Sequence, residues 1–120
     1  MKDDGLYLLH VAECIERIQR YTAGGKDVFW TDTLIQDAVL RNLQTLAESS
    51  QRVSAAMKAK RPDVDWKAIA GFRNILVHDY LGVDLEEVWN IVMRDIPALK
   101  AAVAALSAEA GVPPVPPQQP

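Results

Sequence analysis

Residues able to do acid–base and phosphate chemistry lie close together in the stretch RNILVHDY, which runs from Arg73 to Tyr80. Histidine titrates near neutral pH, so His78 is suited to take a proton from a 2′-hydroxyl of RNA or to protonate a 5′-oxygen leaving group. Arg73 can hold the charge of a phosphorane bidentately. Asn74 can orient the imidazole or bind phosphate, and Tyr80 can donate a phenolic proton or stack on a base. From these types alone, His78 can equally be a structural residue at a helix edge.

Arg73 lies in the middle of the apolar side of its predicted helix. On a wheel of about 100° per residue, five apolar side chains fall within about 60° of it. Burying an unpaired guanidinium is costly, so Arg73 pairs with an acidic residue inside the protein, lines a cleft, or faces a partner subunit. Local rules broken together at one place indicate a functional site. The five apolar residues are Trp66, Ile69, Ala70, Leu76 and Val77.

Hydrophobic periodicity is helical along nearly the whole chain, and no alternating run predicts a strand. The spacing predicts helices over residues 4–22, 32–58 and 66–78, and a fourth that starts at Leu85. Pro97 lies inside the fourth helix, so we expect a kink or a break there. The predicted N-caps are Thr31 or Asp32, Asp65, and Asp84.

Long helices with short connections predict an all-α fold, an antiparallel bundle of four to five helices. The helical domain takes residues 1–110, and the Pro-rich residues 111–120 are expected to form an extended, mobile tail, either solubilising or a proline-motif ligand. A second copy of the chain is expected to cover an additional face, with Trp89, Val92 and Met93 as candidates for that contact.

The composition of the 120 residues is that of one soluble domain, with 49% hydrophobic residues and a net charge of −3. One cysteine excludes an internal disulfide, and two distant histidines give no zinc spacing, so we expect neither a metal nor a cofactor. No apolar run approaches a membrane span and the N-terminus does not resemble a signal peptide, which predicts a cytoplasmic protein without membrane contact. The net charge argues against blanket binding of nucleic acid but permits a local basic patch.

Asp37, Arg41, Gln44 and Glu48 form a polar stripe on the second predicted helix. One interpretation is a solvated face supported by i,i+4 pairs such as Asp37 with Arg41. In the other, Asp37 or Glu48 supports the site by pairing with Arg73.

Basic residues gather around the turn before the third predicted helix. They can guide an RNA backbone toward Arg73, as Arg41 also can, or simply keep the turn soluble. The residues are Lys58, Lys60, Arg61 and Lys67.

The pattern Arg-x4-His-x-Tyr resembles the signature of HEPN domains, in particular the HepT toxins of the MNT–HEPN toxin–antitoxin systems. The spacing of Arg73 and His78 alone is weak evidence, because short gapped motifs recur by chance. The surrounding WxxIxGxRNxxxHxY, the following VD, VW and DIPAL, and the upstream DAVLRNLQTLAES also resemble HepT. The family's Gly-Glu-Ala-like position is occupied here by Ala47-Glu48-Ser49. The resemblance covers roughly residues 5–105.

The resemblance implies a metal-independent RNase acting as a homodimer, in which two Arg/His motifs meet in a composite cleft. Arg73 and His78 would be the catalytic pair and Asn74 would support them. Tyr80 matches the tyrosine that a cognate MNT-family nucleotidyltransferase antitoxin modifies with AMP from ATP. An added AMP would place bulk and negative charge where the RNA phosphate must lie.

Two other interpretations remain open. The chain can be a non-catalytic helical module that binds a nucleotidyltransferase or a nucleotide, with Arg73 and His78 used only for phosphate contact. Alternatively, Arg73 and His78 are interface residues with a purely structural role.

Overall fold

A computed structural model describes residues 3–74 and 84–115 of the chain. Within these residues every regular element is helical, which confirms the predicted all-α class. The helices are α1 (Asp4–Tyr21), α2 (Lys26–Thr31), α3 (Thr33–Arg52), α4 (Ala55–Lys58), α5 (Trp66–Ala70), α6 (Leu85–Asn90) and α7 (Ile96–Glu109). A 3₁₀ turn, Gly71–Arg73, follows α5, and a π-helical turn, Ile91–Asp95, joins α6 to α7.

The antiparallel bundle is built around α1, which packs on both α3 and α7. Its N-terminal Asp4 contacts Ser54 just after α3, and its C-terminal Gln19 accepts a hydrogen bond from Lys100 near the start of α7. Both neighbours therefore run antiparallel to α1. The apolar stripe predicted for α1 faces the core, where Leu8, Ile15 and Ile18 are almost fully buried.

The second predicted helix is not continuous over residues 32–58, and this prediction was wrong. Helix α3 ends at Arg52, Val53 is extended, and the Ser54 hydroxyl accepts a hydrogen bond from Met57 N (3.2 Å) to cap α4. The Asp4 carboxylate accepts hydrogen bonds from Ser54 N (2.8 Å) and Ser54 Oγ (2.7 Å). These bonds use groups that a continuing helix would need, because a capping side chain competes with the backbone ladder.

Helix α2 was missed by the sequence analysis. Gly25 has a φ of +96°, which lets the chain turn into this short helix. Phe29 is fully buried, and its ring centroid lies 5.3 Å from that of Trp89 on α6. Six residues are too few to show a helical period, so only the apolar Phe29 indicated a core contact.

A kink or a break was expected near Pro97, and the structure has a π-helical turn there, Ile91–Asp95, within continuous helical backbone. Proline has no N–H, and in a regular α-helix its ring would collide with the carbonyl four residues earlier, here that of Met93. The wider turn at Ile91–Asp95 precedes the proline, and α7 resumes with Pro97 in its first turn. The predicted caps Asp32, Asp65 and Asp84 are also confirmed.

The C-terminal end of α7 reverses through Gly111, whose φ is +75°. Val112 N donates to Ser107 O (2.8 Å) and Gly111 N to Ala108 O (3.2 Å), the two bonds of a Schellman motif. Val112 then lies over Gly5, where a Cβ would come within 3.0 Å of the valine side chain. The start of the predicted tail thus packs on α1, and residues 116–120 lie outside the described residues.

Replacing Asp4 by Ala should lower the free energy of unfolding by about 2–3 kcal/mol at pH 7, because it removes buried charge-assisted hydrogen bonds to Ser54. Burial alone would raise the pKa of the Asp4 carboxyl, but the bonds from Ser54 lower it below the usual value of 3.8. The stabilisation is therefore fully present above that value and is lost as the pH falls through the folded-state pKa. Urea unfolding from pH 7 downward measures this. The exposed Asp27→Asn variant is the control, and an equal effect of both substitutions would contradict the role of Asp4.

Candidate functional site

The segment that ends in Arg73 is held by contacts on both sides of α5. Asp65 accepts a hydrogen bond from Ala68 N (3.0 Å) and so starts the helix, while Trp66 Nε1 donates to the carbonyl oxygens of Lys58 and Arg61 (3.2 Å each). Ile69 and the Phe72 of the 3₁₀ turn are buried, and both α5 and the turn pack against α3. The Asp65 cap, the Trp66 hydrogen bonds and the burial of Ile69 and Phe72 therefore determine where Arg73 leaves the bundle.

The α-helical wheel placed Arg73 in the middle of the apolar side of its helix. In the structure, Arg73 is instead exposed. The reason is the 3₁₀ turn at Gly71–Arg73, because this helix type turns about 120° per residue and adds about 60° over three residues. Arg73 Nη1 lies 3.4 Å from Gln51 Oε1 on α3, close enough for a long hydrogen bond. Gln51 was missed by the sequence analysis, although it continues the polar spacing of Gln44 and Glu48.

The predicted partners of Arg73 do not pair with it inside the chain. Asp37 and Glu48 are both exposed, and among residues 3–74 and 84–115 no ion pair joins either carboxylate to Arg73. The i,i+4 pair of Asp37 with Arg41 is also absent from the described ion pairs. Of the three arrangements left open for Arg73, the intrachain ion pair with α3 is thus not observed, and Arg73 points away from the core.

Asn74, directly after Arg73, is also exposed. His78 and Tyr80 lie outside the described residues, as do Leu76 and Val77. The spatial relation of His78 and Tyr80 to Arg73 therefore stays a prediction.

Most of the basic residues around the turn before α5 have partners in the protein. Lys58 Nζ donates to Ser50 O (3.3 Å), Lys60 pairs with Glu109 (3.2 Å), and Arg61 pairs with Asp63 (2.7 Å). Hydrogen bonding to Arg61 lowers the pKa of the Asp63 carboxyl. Lys67 is exposed, and of these four it is the one for which the described contacts give no such partner.

A cavity of about 420 Å³ lies between Phe72 and α6. Its wall includes Asn90 and Arg94, and the Arg94 guanidinium is turned toward Asp95 (3.3 Å). Acidic side chains predominate, so the cavity is unfavourable for an RNA phosphate. The acidic residues that line it are Asp84, Glu86, Glu87 and Asp95.

Cys14 is a candidate nucleophile by type alone, but its surroundings exclude this role. Its side chain is buried in the core between α1 and its neighbours. Burial raises the pKa of the thiol to about 11. Since the thiolate is the reactive form, Cys14 is a packing residue.

Residues 11–106 match the family model described as Ribonuclease HepT-like. The chain belongs to this family. It is 36% identical over 98 residues to a "Probable ribonuclease HepT" of Thermococcus cleftensis, which covers 78% of this chain and 86% of that protein. It is 27% identical over 123 aligned residues to the "mRNA nuclease HepT" of Shewanella oneidensis, covering 82% and 92% of the two chains. The resemblance noted from the sequence is confirmed.

Another relative, from Methanocaldococcus jannaschii, is named "Gamma-glutamylcyclotransferase and putative RNase". It is 37% identical over 109 residues, which are 90% of this chain and 49% of that protein. The chain thus spans about half the length of that relative. No solved structure gives a significant match.

Two general features of the HepT-like chain follow from the described residues. None of the helices in this part of the chain combines the length and the apolar character needed to cross a bilayer. The same residues contain no cluster of three or more His, Cys, Asp or Glu side chains arranged to hold a metal ion.

Replacing Arg73 by Ala should change the free energy of unfolding by no more than about 0.5 kcal/mol, because the side chain is exposed and makes one long hydrogen bond. The adjacent Phe72→Ala should cost about 3–5 kcal/mol, since it removes a buried ring. Urea unfolding of the two variants provides a matched comparison. A loss of about 3 kcal/mol or more for Arg73→Ala would instead indicate a buried ion pair.

Proposed function

We propose that this HepT-like chain is a metal-independent endoribonuclease in which Arg73 and His78 form the catalytic pair. The observation that carries the proposal is the position of Arg73 at the end of a braced 3₁₀ turn. It is exposed there, and among the described residues its side chain contacts Gln51. Membership in the Ribonuclease HepT-like family and relatives named as ribonucleases support the same activity.

In the proposed reaction His78 assists proton transfer at the scissile phosphodiester. The imidazole either takes the proton from the attacking 2′-hydroxyl or gives one to the departing 5′-oxygen. Arg73 donates two N–H groups to the non-bridging oxygens as negative charge develops there. Asn74, which is also exposed, supports the pair by binding phosphate or orienting the imidazole. Lys67 is exposed, and the described contacts give it no partner, so it is a candidate contact for the RNA backbone.

We propose further that the active unit is a homodimer and that a nucleotidyltransferase antitoxin controls it, as in toxin–antitoxin pairs. In this scheme the Tyr80 phenol oxygen attacks the α-phosphorus of ATP, the bond to pyrophosphate breaks, and the phenolic proton is lost. The resulting AMP-tyrosine carries negative charge two residues from His78 and repels the RNA phosphate. This requires both proteins in the same compartment, which we propose to be the cytoplasm.

The alternative function is a non-catalytic module that binds a nucleotidyltransferase or a nucleotide through Arg73 and His78. An exposed arginine whose contact with the described residues is one long hydrogen bond is compatible with phosphate binding alone. This alternative would be favoured if the wild-type protein bound a nucleotide but cleaved no RNA, and if replacing Arg73 or His78 by Ala abolished the binding.

Replacing His78 by Ala should lower the rate of RNA cleavage at least about 100-fold, because general acid–base catalysis is lost. The chain offers a matched control in His10, its only other histidine, which is exposed on α1. His10→Ala should cleave at the wild-type rate. Cleavage of a labelled RNA is followed in buffer with EDTA, where the wild-type rate should be unchanged if no metal takes part. A His78→Ala variant as active as His10→Ala would exclude His78 as the catalyst.

Incubation with the cognate nucleotidyltransferase and ATP should add AMP to Tyr80 and abolish cleavage. Intact mass and peptide mapping across residues 74–94 locate the addition. Tyr80→Phe removes the acceptor oxygen and should remain unmodified and active, whereas Tyr7→Phe should be modified like the wild-type protein. An active transferase that leaves Tyr80 unmodified would contradict this regulation.

A further inference from the structure

One side of α3 is left uncovered by the rest of the described chain. On a wheel of about 100° per residue, five side chains of α3 lie within about 40° of Arg41. The charged ones are exposed, as is Leu34, whose side chain is 76% accessible. We call this surface the outer face of α3. Besides Arg41 it consists of Leu34, Asp37, Thr45, Glu48 and Arg52.

The charges on the outer face are not paired with one another. Asp37 with Arg41, and Glu48 with Arg52, have the i,i+4 spacing that favours ion pairs on a helix. Neither pair is among the ion pairs of the described residues. Arg52 lies instead over the ring of Tyr7, 5.9 Å from its centroid. Among the described residues, Asp37, Arg41 and Glu48 therefore have no ion-pair partner, whereas Arg52 already contacts the Tyr7 ring.

The order of these charges along α3 is negative, positive, negative, positive, at Asp37, Arg41, Glu48 and Arg52. Read in the opposite direction, this order of charges is complementary to itself, so each negative charge faces a positive one. When two copies lie antiparallel about a two-fold axis between Gln44 and Thr45, Arg41 faces the partner's Glu48 and Asp37 faces the partner's Arg52. A parallel pair would oppose like charges, as would a shift that places Asp37 opposite the partner's Glu48.

We propose that the outer face of α3 packs antiparallel against the same face of a second copy of this chain. An interface between two identical surfaces is isologous, so each charge pair occurs twice. Charge complementarity fixes the register and excludes the parallel arrangement.

Helix geometry sets which pairs can form. With a rise of 1.5 Å per residue, Arg41 and Glu48 lie roughly 5 Å on either side of the axis. The inner pairs can therefore meet at either of the common crossing angles, near −50° or +20°. Asp37 and Arg52 lie about 11 Å from the axis, so the outer pairs form only at the shallower angle.

The interface lies next to the candidate site. Gln51, which anchors Arg73, is about 80° from Arg41 on the wheel and so borders the outer face. The second copy would place its Ala38 region opposite Gln51, beside Arg73. The inference rests on the proposed function insofar as it names the surface through which the second copy reaches the site. It assigns Arg41 to the interface rather than to RNA, and Asp37 and Glu48 to the interface rather than to Arg73.

Sedimentation equilibrium of the full-length protein tests the inference through charge reversal. The wild-type chain should dimerise, and Arg41→Glu or Glu48→Arg should each weaken the dimer about 10- to 100-fold, because both inner pairs become like-charged. An equimolar mixture of the two variants should dimerise again. In that heterodimer, one inner pair is native and the other is reversed, so both are attractive.

The mixture distinguishes an interface from a folding defect, because mixing two misfolded variants would not restore a dimer. Lys100→Glu on α7 changes the net charge as much as Arg41→Glu does and should dimerise like the wild type. A monomeric wild-type chain, variants that dimerise normally, or a mixture that stays monomeric would each overturn the inference. RNA cleavage is measured separately. A charge-dependent dimer that does not cleave RNA contradicts the proposed function alone, and an active enzyme insensitive to these reversals contradicts the interface alone.

Discussion

The burial of Ile69 and Phe72 against α3 is the contact on which the candidate site depends. Residues four apart in an α-helix share a face, so Arg73 would follow Ile69 into the core if α5 continued regularly. The tighter 3₁₀ turn buries Phe72 and releases Arg73 to the surface. An arginine can then reach a phosphate without the cost of burying its charge, and the packing of its neighbours limits its movement.

Elsewhere on the bundle, charged side chains are also kept at the surface, and several of them are paired. Lys60 and Arg61 are neutralised by Glu109 and Asp63, so the basic cluster in the sequence becomes a set of local ion pairs. The acidic side chains around α6 line a cavity that also touches Phe72 of the 3₁₀ turn. Although the net charge of the protein is −3, basic side chains such as Arg73 and Lys67 thereby remain exposed and able to contact a phosphate.

Irregular helix segments also mark the places where sequence rules conflict. Pro97 cannot continue a regular helix, and a π-helical turn resolves the conflict. Ser54 and Asp4 interrupt what the apolar spacing alone describes as one long helix. The three residues of the fourth predicted helix that were expected to face a second copy differ in their exposure. Val92 is buried within the bundle and Trp89 is half-buried, whereas Met93 is 58% exposed.

The sequence by itself determined the all-α class, the main helices, three of their caps and the HepT-like family, because periodicity, capping and motif spacing are local properties. Tertiary structure alone decided the helix break at Ser54, since its cause is Asp4, 50 positions away. It also decided that Gln51 anchors Arg73 and that Asp37 and Glu48 do not pair with it inside the chain. A wheel assumes one constant turn per residue and one chain in isolation. Contacts between distant residues change the turn, and the direction of Arg73 changes with it.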